Sequence, residues 1–113
     1  MHELSIAMSI VEIAEENVQQ SKLSKVTEIE LDVGELSGVV FDALEFAMVE
    51  AVKDTVLKDA VRKINRIPGK AKCKECGCEF EVEDIYTPCP ECASFENEVI
   101  NGKELKVKSL IAE

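Results

Sequence analysis

Two Cys-x-x-Cys pairs, CKEC and CPEC, stand twelve residues apart in the second half of this 113-residue chain. A Cys-x-x-Cys turn brings two sulfur atoms within reach of one ion, and two such turns at the ends of a hairpin complete a tetrahedral S₄ site. The spacing therefore predicts a zinc site formed by Cys73, Cys76, Cys89 and Cys92. Because four cysteines leave no open coordination position, we expect the zinc to be structural.

Other interpretations of the cysteines stay open at this point. Tetrahedral S₄ also suits iron, as in an electron carrier of the rubredoxin type. A single redox-active pair of the thioredoxin type would leave the second pair unexplained. The fifth cysteine, Cys78, is either a small buried residue on a strand with Phe80 and Val82, or a spare ligand or reactive thiol.

Apolar residues recur with helical spacing over residues 4–20 and again over about 41–53. This periodicity predicts two amphipathic helices, each with one face toward a core. The predicted inner faces are Leu4, Ala7, Met8, Val11, Ala14 and Val18 in the first helix, and Phe41, Leu44, Met48 and Ala51 or Val52 in the second.

The stretch VTEIELDV alternates apolar and acidic residues, which predicts a half-buried strand with Ile29, Leu31 and Val33 on its inner side. A second strand, with weaker alternation, is predicted in KDAVRKINRIP. The Asn101-Gly102 dipeptide favours a tight type I′ hairpin ahead of a last strand. One face of that strand is predicted to carry Leu105, Val107, Ser109 and Ile111.

The order helix, strand, helix, strand, cysteine module, strand predicts an α+β fold with two helices packed on a small mixed β-sheet. The cysteine module has too little apolar bulk for a core of its own, so we expect a zinc-ribbon-like insertion that depends on its metal. The predicted domains are residues 1–69 with 98–113, and residues 70–97.

The formal net charge of −10 argues against binding a nucleic acid or an anionic membrane surface. No targeting segment and no membrane-spanning run is visible, which favours a cytoplasmic protein. The single histidine allows no Ser/His/Asp set, and no glycine-rich phosphate loop occurs. We therefore expect a protein that is not an enzyme.

The single histidine, His2, directly follows Met1. The amine of Met1, the amide nitrogen of His2 and its imidazole would form two fused chelate rings, and Glu3 would supply a fourth position. Square-planar sites rich in nitrogen suit Ni(II) or Cu(II). On residue type alone, Glu3 is more simply a carboxylate that stabilises a helix N-terminus.

Several stretches together resemble the HypA family of nickel metallochaperones for [NiFe]-hydrogenase maturation, and the resemblance spans essentially the whole chain. They are MHELSIAMSIVEIAEE, LDVGELSGVVFDALEFA, the pairs CKECG and CPEC, and NGKELKVKSL. The resemblance implies nickel held at the N-terminus by His2 and Glu3, with zinc held by the four cysteines of the two pairs. Cys78 departs from the family's zinc pattern, and this chain lacks the second histidine that some members use for nickel.

The resemblance also implies partners, namely the GTPase HypB and the precursor of the hydrogenase large subunit. Some relatives serve urease maturation as well. Pro68-Gly69 would act as a hinge for exchange of the C-terminal strand between two chains, so a monomer and a weak or domain-swapped homodimer are both compatible with the sequence. A zinc-ribbon interaction module and an iron electron carrier are the alternative functions.

Overall fold

The computed structural model of this chain describes residues 3–113, so the proposed nickel ligands Met1 and His2 lie outside the described residues. The elements are α1 (Glu3–Ser21), β1 (Val26–Gly34), α2 (Phe41–Ala51), β2 (Val61–Ile67), β3 (Lys70–Cys73), β4 (Glu79–Glu81), β5 (Asn97–Asn101) and β6 (Leu105–Ala112). Neither α1 nor α2 is long and apolar enough to cross a membrane.

The first sheet has the strand order β2-β1-β6, with β1 parallel to β2 and antiparallel to β6. A parallel pair needs a crossover connection, and α2 supplies it. The alternation in β1 buries Ile29, Leu31 and Val33 completely or almost completely, as the sequence predicts. Residues of both helices pack with them into one core, which confirms the α+β fold with two helices on a small mixed sheet.

The inner face of α1 is rotated from the predicted one. Its buried residues are Ala7, Ile10, Ala14 and Val18. The predicted core residues Leu4 and Met8 are instead exposed, Met8 at 58% of its surface. Ala7 and Ala14 are fully buried, and they mark the face of α1 that lies closest to its neighbours. Apolar residues occur on both sides of this face, so hydrophobic spacing alone does not show which of them are buried.

The strict alternation predicted for β6 is wrong because the strand contains a β-bulge. Val107 lies opposite Leu31, whereas Ser109 lies opposite Glu30, so one extra residue is inserted between them. A bulge reverses which side the following residues face. Val107 and Leu110 therefore both pack against the core, and Ile111 is exposed.

The second sheet has the order β4-β3-β5 and is antiparallel throughout. Its strand β5 pairs with β3, whereas β6 pairs with β1, so the predicted hairpin at Asn101-Gly102 is wrong. The dipeptide instead connects the two sheets. Strand pairing places Asn97–Asn101 in the second sheet. The predicted domain boundary between residues 97 and 98 stays a prediction.

Three glycines, Gly34, Gly69 and Gly102, form what we call the glycine seam between the two sheets. A Cβ atom on Gly34 would lie 1.9 Å from the carbonyl oxygen of Gly102, and one on Gly102 would lie 2.7 Å from Cα of Gly69. Both separations are shorter than atoms in contact allow. Main chain therefore meets main chain here, and Gly102 also has a φ of +112°, which favours glycine.

The two methionines Met48 and Met8 test the observed core. Met48 on α2 is fully buried, so Met48→Ala should leave a cavity and lower the free energy of unfolding by about 2–5 kcal/mol. Met8→Ala removes the same atoms from a mostly exposed position and should change that free energy by less than about 0.5 kcal/mol. Urea titration of both variants measures the difference, and equal losses would mean that the rotation of α1 is wrong.

Candidate metal centre

The first cysteine turn joins the end of β3 to the start of β4. The amide N–H of Gly77 donates to the carbonyl of Cys73 at 3.0 Å, which closes the turn, and Gly77 has a φ of +78°. The N–H of Cys76 lies 3.5 Å from the sulfur of Cys73. Glycine after the second cysteine thus supplies the left-handed backbone that lets N–H groups approach the thiolate.

The second turn repeats this construction without glycine. The N–H of Ala93 donates to the carbonyl of Cys89 at 2.8 Å, and Ala93 adopts a φ of +62°. The N–H of Cys89 in turn donates to the carbonyl of Ser94 at 2.9 Å. A left-handed conformation at a residue with a side chain is uncommon, so this turn is specified by its hydrogen bonds.

The two turns converge, and the sulfur atoms of Cys73, Cys76, Cys89 and Cys92 all lie within 4.8 Å of one another. Two of the sulfur–sulfur separations are 3.5 Å, between Cys73 and Cys92, and 3.6 Å, between Cys76 and Cys89. A tetrahedron with metal–sulfur bonds of about 2.3 Å has sulfur–sulfur edges of about 3.8 Å. The four residues predicted as ligands therefore meet in a group that fits a zinc-sized ion.

The two buried cysteines have lowered pKa values. The backbone N–H of Cys76 is the main cause for Cys73, whose pKa falls to about 7. Desolvation raises the pKa of Cys89, but the backbone N–H groups of Cys92 and Glu91 outweigh it and the pKa is lowered.

The two exposed cysteines behave in the opposite way. A hydrogen bond from the backbone of Ser94 lowers the pKa of Cys92. The neighbouring cysteines, of which Cys73 has the largest effect, and desolvation outweigh this hydrogen bond and raise the pKa to about 12. Cys76 is also raised, because Cys89 and desolvation outweigh the backbone hydrogen bond at Cys78. Full ionisation of the group therefore calls for a cation that offsets the repulsion among thiolates, which is the chemistry of a metal site.

The fifth cysteine, Cys78, does not belong to this group. It is half-buried, and its sulfur lies 3.7 Å from the carbonyl oxygen of Glu79. Desolvation, followed by the charges of Cys89 and Cys76, raises the pKa of the Cys78 thiol. A raised pKa disfavours the thiolate, so this geometry fits a packing residue better than a reactive thiol.

Asn97, at the start of β5, was not anticipated from the sequence. Its side-chain nitrogen donates to the carbonyls of Thr87 and Ser94, both at 3.1 Å. These carbonyls lie on either side of the second cysteine turn, and Asn97 itself pairs with Cys73 across the sheet. One amide therefore ties both ends of the second turn to the strand that carries the first. No spacing or motif in the sequence marks this residue.

Glu3, the one predicted nickel ligand within the described residues, begins α1. Its carboxylate accepts a hydrogen bond from the backbone N–H of Val40 at 3.2 Å, and Val40 is the residue directly before α2. The start of α1 thus lies beside the start of α2. The carboxylate acts at the N-terminus of the neighbouring helix, where negative charge is favourable.

Comparison with known proteins covers the whole chain. The family described as "Hydrogenase/urease nickel incorporation, metallochaperone, hypA" matches residues 1–112. The hydrogenase maturation factor HypA of Geobacter metallireducens is 43% identical over 113 residues, which is 100% of each chain. That of Parabacteroides distasonis is 43% identical over 111 residues, covering 98% of this chain and 96% of the relative.

A solved structure shows the same architecture. The solution structure of the Ni metallochaperone HypA from Helicobacter pylori aligns with a TM-score of 0.69 at 25% sequence identity, covering 99% of this chain and 97% of that one. The match in sequence and in fold extends through both sheets and both cysteine turns. The chain therefore belongs to the HypA family of nickel metallochaperones for hydrogenase and urease.

Proposed function

We propose that this chain is a nickel metallochaperone that binds Ni(II) at its N-terminus and delivers it during maturation of a [NiFe]-hydrogenase, while a structural zinc ion stays in the protein. The family match over residues 1–112 carries this proposal. The chain acts as a carrier and not as an enzyme, in the cytoplasm, and it binds neither nucleic acid nor membrane.

Nickel is bound by the Met1 amine, the His2 amide and imidazole nitrogens, and Glu3. These groups adjoin one another along the chain, so little ordering is needed to bring three nitrogen donors to one ion. The contact between Glu3 and Val40 supports a location beside the start of α2. A site with one imidazole releases its ion to cysteine ligands of a recipient more readily than a four-thiolate site would.

Zinc is held by Cys73, Cys76, Cys89 and Cys92, and it fixes the fold of residues 70–97 as a unit distinct from residues 1–69 and 98–113. The sulfur separations of 3.5 and 3.6 Å support tetrahedral binding. With all four positions taken by sulfur, the ion supplies structure alone.

Nickel passes from the GTPase HypB or from solution to this chain and then to the precursor of the hydrogenase large subunit. Urease maturation proteins are a second destination, because the matching family is described for both enzymes. The alternatives, a zinc-ribbon interaction module and an iron electron carrier, explain the cysteines but not the similarity over the first 70 residues.

Replacement of His2 tests the nickel site. His2→Ala should abolish Ni(II) binding in calorimetry on untagged protein and leave the zinc content unchanged, because it removes the only imidazole. Adding one glycine ahead of Met1 should weaken binding as well, since the amine is displaced. Lowering the pH from 7.5 to about 6 should weaken binding, because protons compete for the nitrogen ligands.

A matched control for this test is Glu12→Ala, which removes an exposed carboxylate from the middle of α1. It should bind nickel as the unaltered chain does. Unchanged nickel uptake by His2→Ala would overturn the proposed site.

Replacement of Cys92 tests the zinc site. The purified chain should be colourless and contain about one zinc per molecule, and Cys92→Ser should lower that content strongly. Cys78→Ser is the control and should retain the metal. A visible absorbance band with iron in place of zinc would support the electron carrier instead.

Removal of zinc should act on one sheet only. Chelation should abolish the protection of amide hydrogens in β3 and β5 while that of β1 persists, because only the second sheet depends on the metal. Hydrogen exchange followed by mass spectrometry separates the two outcomes, and retained protection in β3 would contradict a structural role for the ion.

A further inference from the structure

Two loops between β4 and β5 carry exposed apolar side chains. Ile85, Tyr86 and Phe95, which we call the aromatic face, are exposed at 59%, 75% and 72%. The chain has four phenylalanines and one tyrosine, and two of these five rings, Tyr86 and Phe95, are exposed on the loops around the second cysteine turn. Exposed aromatic side chains in a small protein commonly mark a surface for another macromolecule.

The two loops that carry the aromatic face are held together. Asn97 donates from one nitrogen to the carbonyl of Thr87, next to Tyr86, and to that of Ser94, next to Phe95. Since both acceptors are carbonyls, only the NH₂ end of the amide can point at them, and the buried Oδ1 atom is left without a partner among the described residues. The loops are thus fixed in position, although this leaves a buried acceptor unsatisfied.

Each loop is also ordered internally. The carboxylate of Asp84 accepts from the N–H of Tyr86 at 2.8 Å and from the hydroxyl of Thr87 at 3.2 Å. In the other loop, the hydroxyl of Ser94 accepts from the N–H of Glu96 at 3.0 Å. A surface that is already ordered loses little conformational entropy when it binds.

The charge around the aromatic face has one sign. Residues 75–102 contain eight acidic residues and no lysine, arginine or histidine, so they account for most of the net charge of −10. Lys70, from the preceding strand, pairs with Glu79 at 3.3 Å. Glu83, Asp84 and Glu96, which flank the exposed rings in sequence, form no ion pair within residues 3–113.

From these observations we propose that the aromatic face is a docking surface for a partner protein whose own surface places lysine and arginine side chains around an apolar pocket. The exposed rings, with Glu83, Asp84 and Glu96 beside them in sequence as an acidic rim, match such a surface in polarity and in charge. Nucleic acids and anionic membranes are repelled by the same acidic rim. A second copy of this chain would bring one acidic rim against another.

The inference rests on the proposed function, since the partners used to test it are the hydrogenase large-subunit precursor and the GTPase HypB. Tyr86→Ser combined with Phe95→Ser should weaken binding of at least one of them by about tenfold or more. Phe46→Ser is the matched control, because Phe46 is exposed at 73% on α2 and lies outside the face. It should leave affinity unchanged.

A second pair of variants tests the rim without touching the rings. Glu83→Lys combined with Glu96→Lys should weaken the same complex and reduce its sensitivity to salt, whereas Glu16→Lys on α1 should not. Zinc content by elemental analysis and the far-ultraviolet circular dichroism of every variant should match those of the unaltered chain.

Affinities measured by biolayer interferometry separate the outcomes. If the unaltered chain binds neither partner, the proposed function fails and the docking surface fails with it. If it binds but both double variants bind equally well, or if Phe46→Ser weakens binding as much, only the docking surface is overturned. Loss of a dimer in sedimentation velocity, with partner binding intact, would assign the face to a second copy and also overturn the proposal.

Discussion

Convergence of four cysteine side chains on one point is the constraint on which the second half of this protein depends. The described part of this half has four buried apolar residues, namely Ala71, Cys73, Val82 and Cys89. Two of them, Cys73 and Cys89, belong to the sulfur group. A sheet with so little apolar burial cannot offset the loss of chain entropy by itself. A metal ion bound by the four sulfur atoms would therefore take the place of a hydrophobic core.

The first half follows the opposite rule. Fifteen residues from α1, β1, α2 and the segments around them form one continuous buried cluster, and none of them is a cysteine. This part can fold around its own apolar contacts, and the proposed nickel ligands adjoin its first helix in sequence. Under the proposed function, zinc held by sulfur and nickel held by nitrogen would have little tendency to exchange places, because their preferred ligands differ.

The sequence predicts these features where a residue pattern has one physical explanation. Alternation in VTEIELDV can only be a strand with Ile29, Leu31 and Val33 inside, and two Cys-x-x-Cys turns converge wherever a short hairpin separates them. The prediction fails where long-range packing decides. The face of α1 that is buried depends on how closely Ala7 and Ala14 approach their neighbours, and the extra residue in β6 is visible only through its pairing with Glu30 and Leu31.

Two further features depend on tertiary context in different ways. Asn101-Gly102 has the composition of a hairpin turn, but its flanking strands pair with different sheets, so local preference does not decide. Asn97 matters through two carbonyls that come together only after folding. The nickel ligands Met1 and His2 rest on the resemblance and on chelate chemistry, and they stay a prediction.

The glycine seam has a mechanical consequence for how the two sheets move relative to each other. Where side chains separate two sheets, small shifts are absorbed by rotation of those side chains. At Gly34 the nearest atoms are all main chain, and beside Gly69 and Gly102 the side chain of Leu36 also lies in the seam, so few side-chain atoms are there to absorb a shift. A shift of the cysteine-bearing sheet at Gly102 would therefore reach the backbone of Gly34, at the end of β1, through a direct main-chain contact.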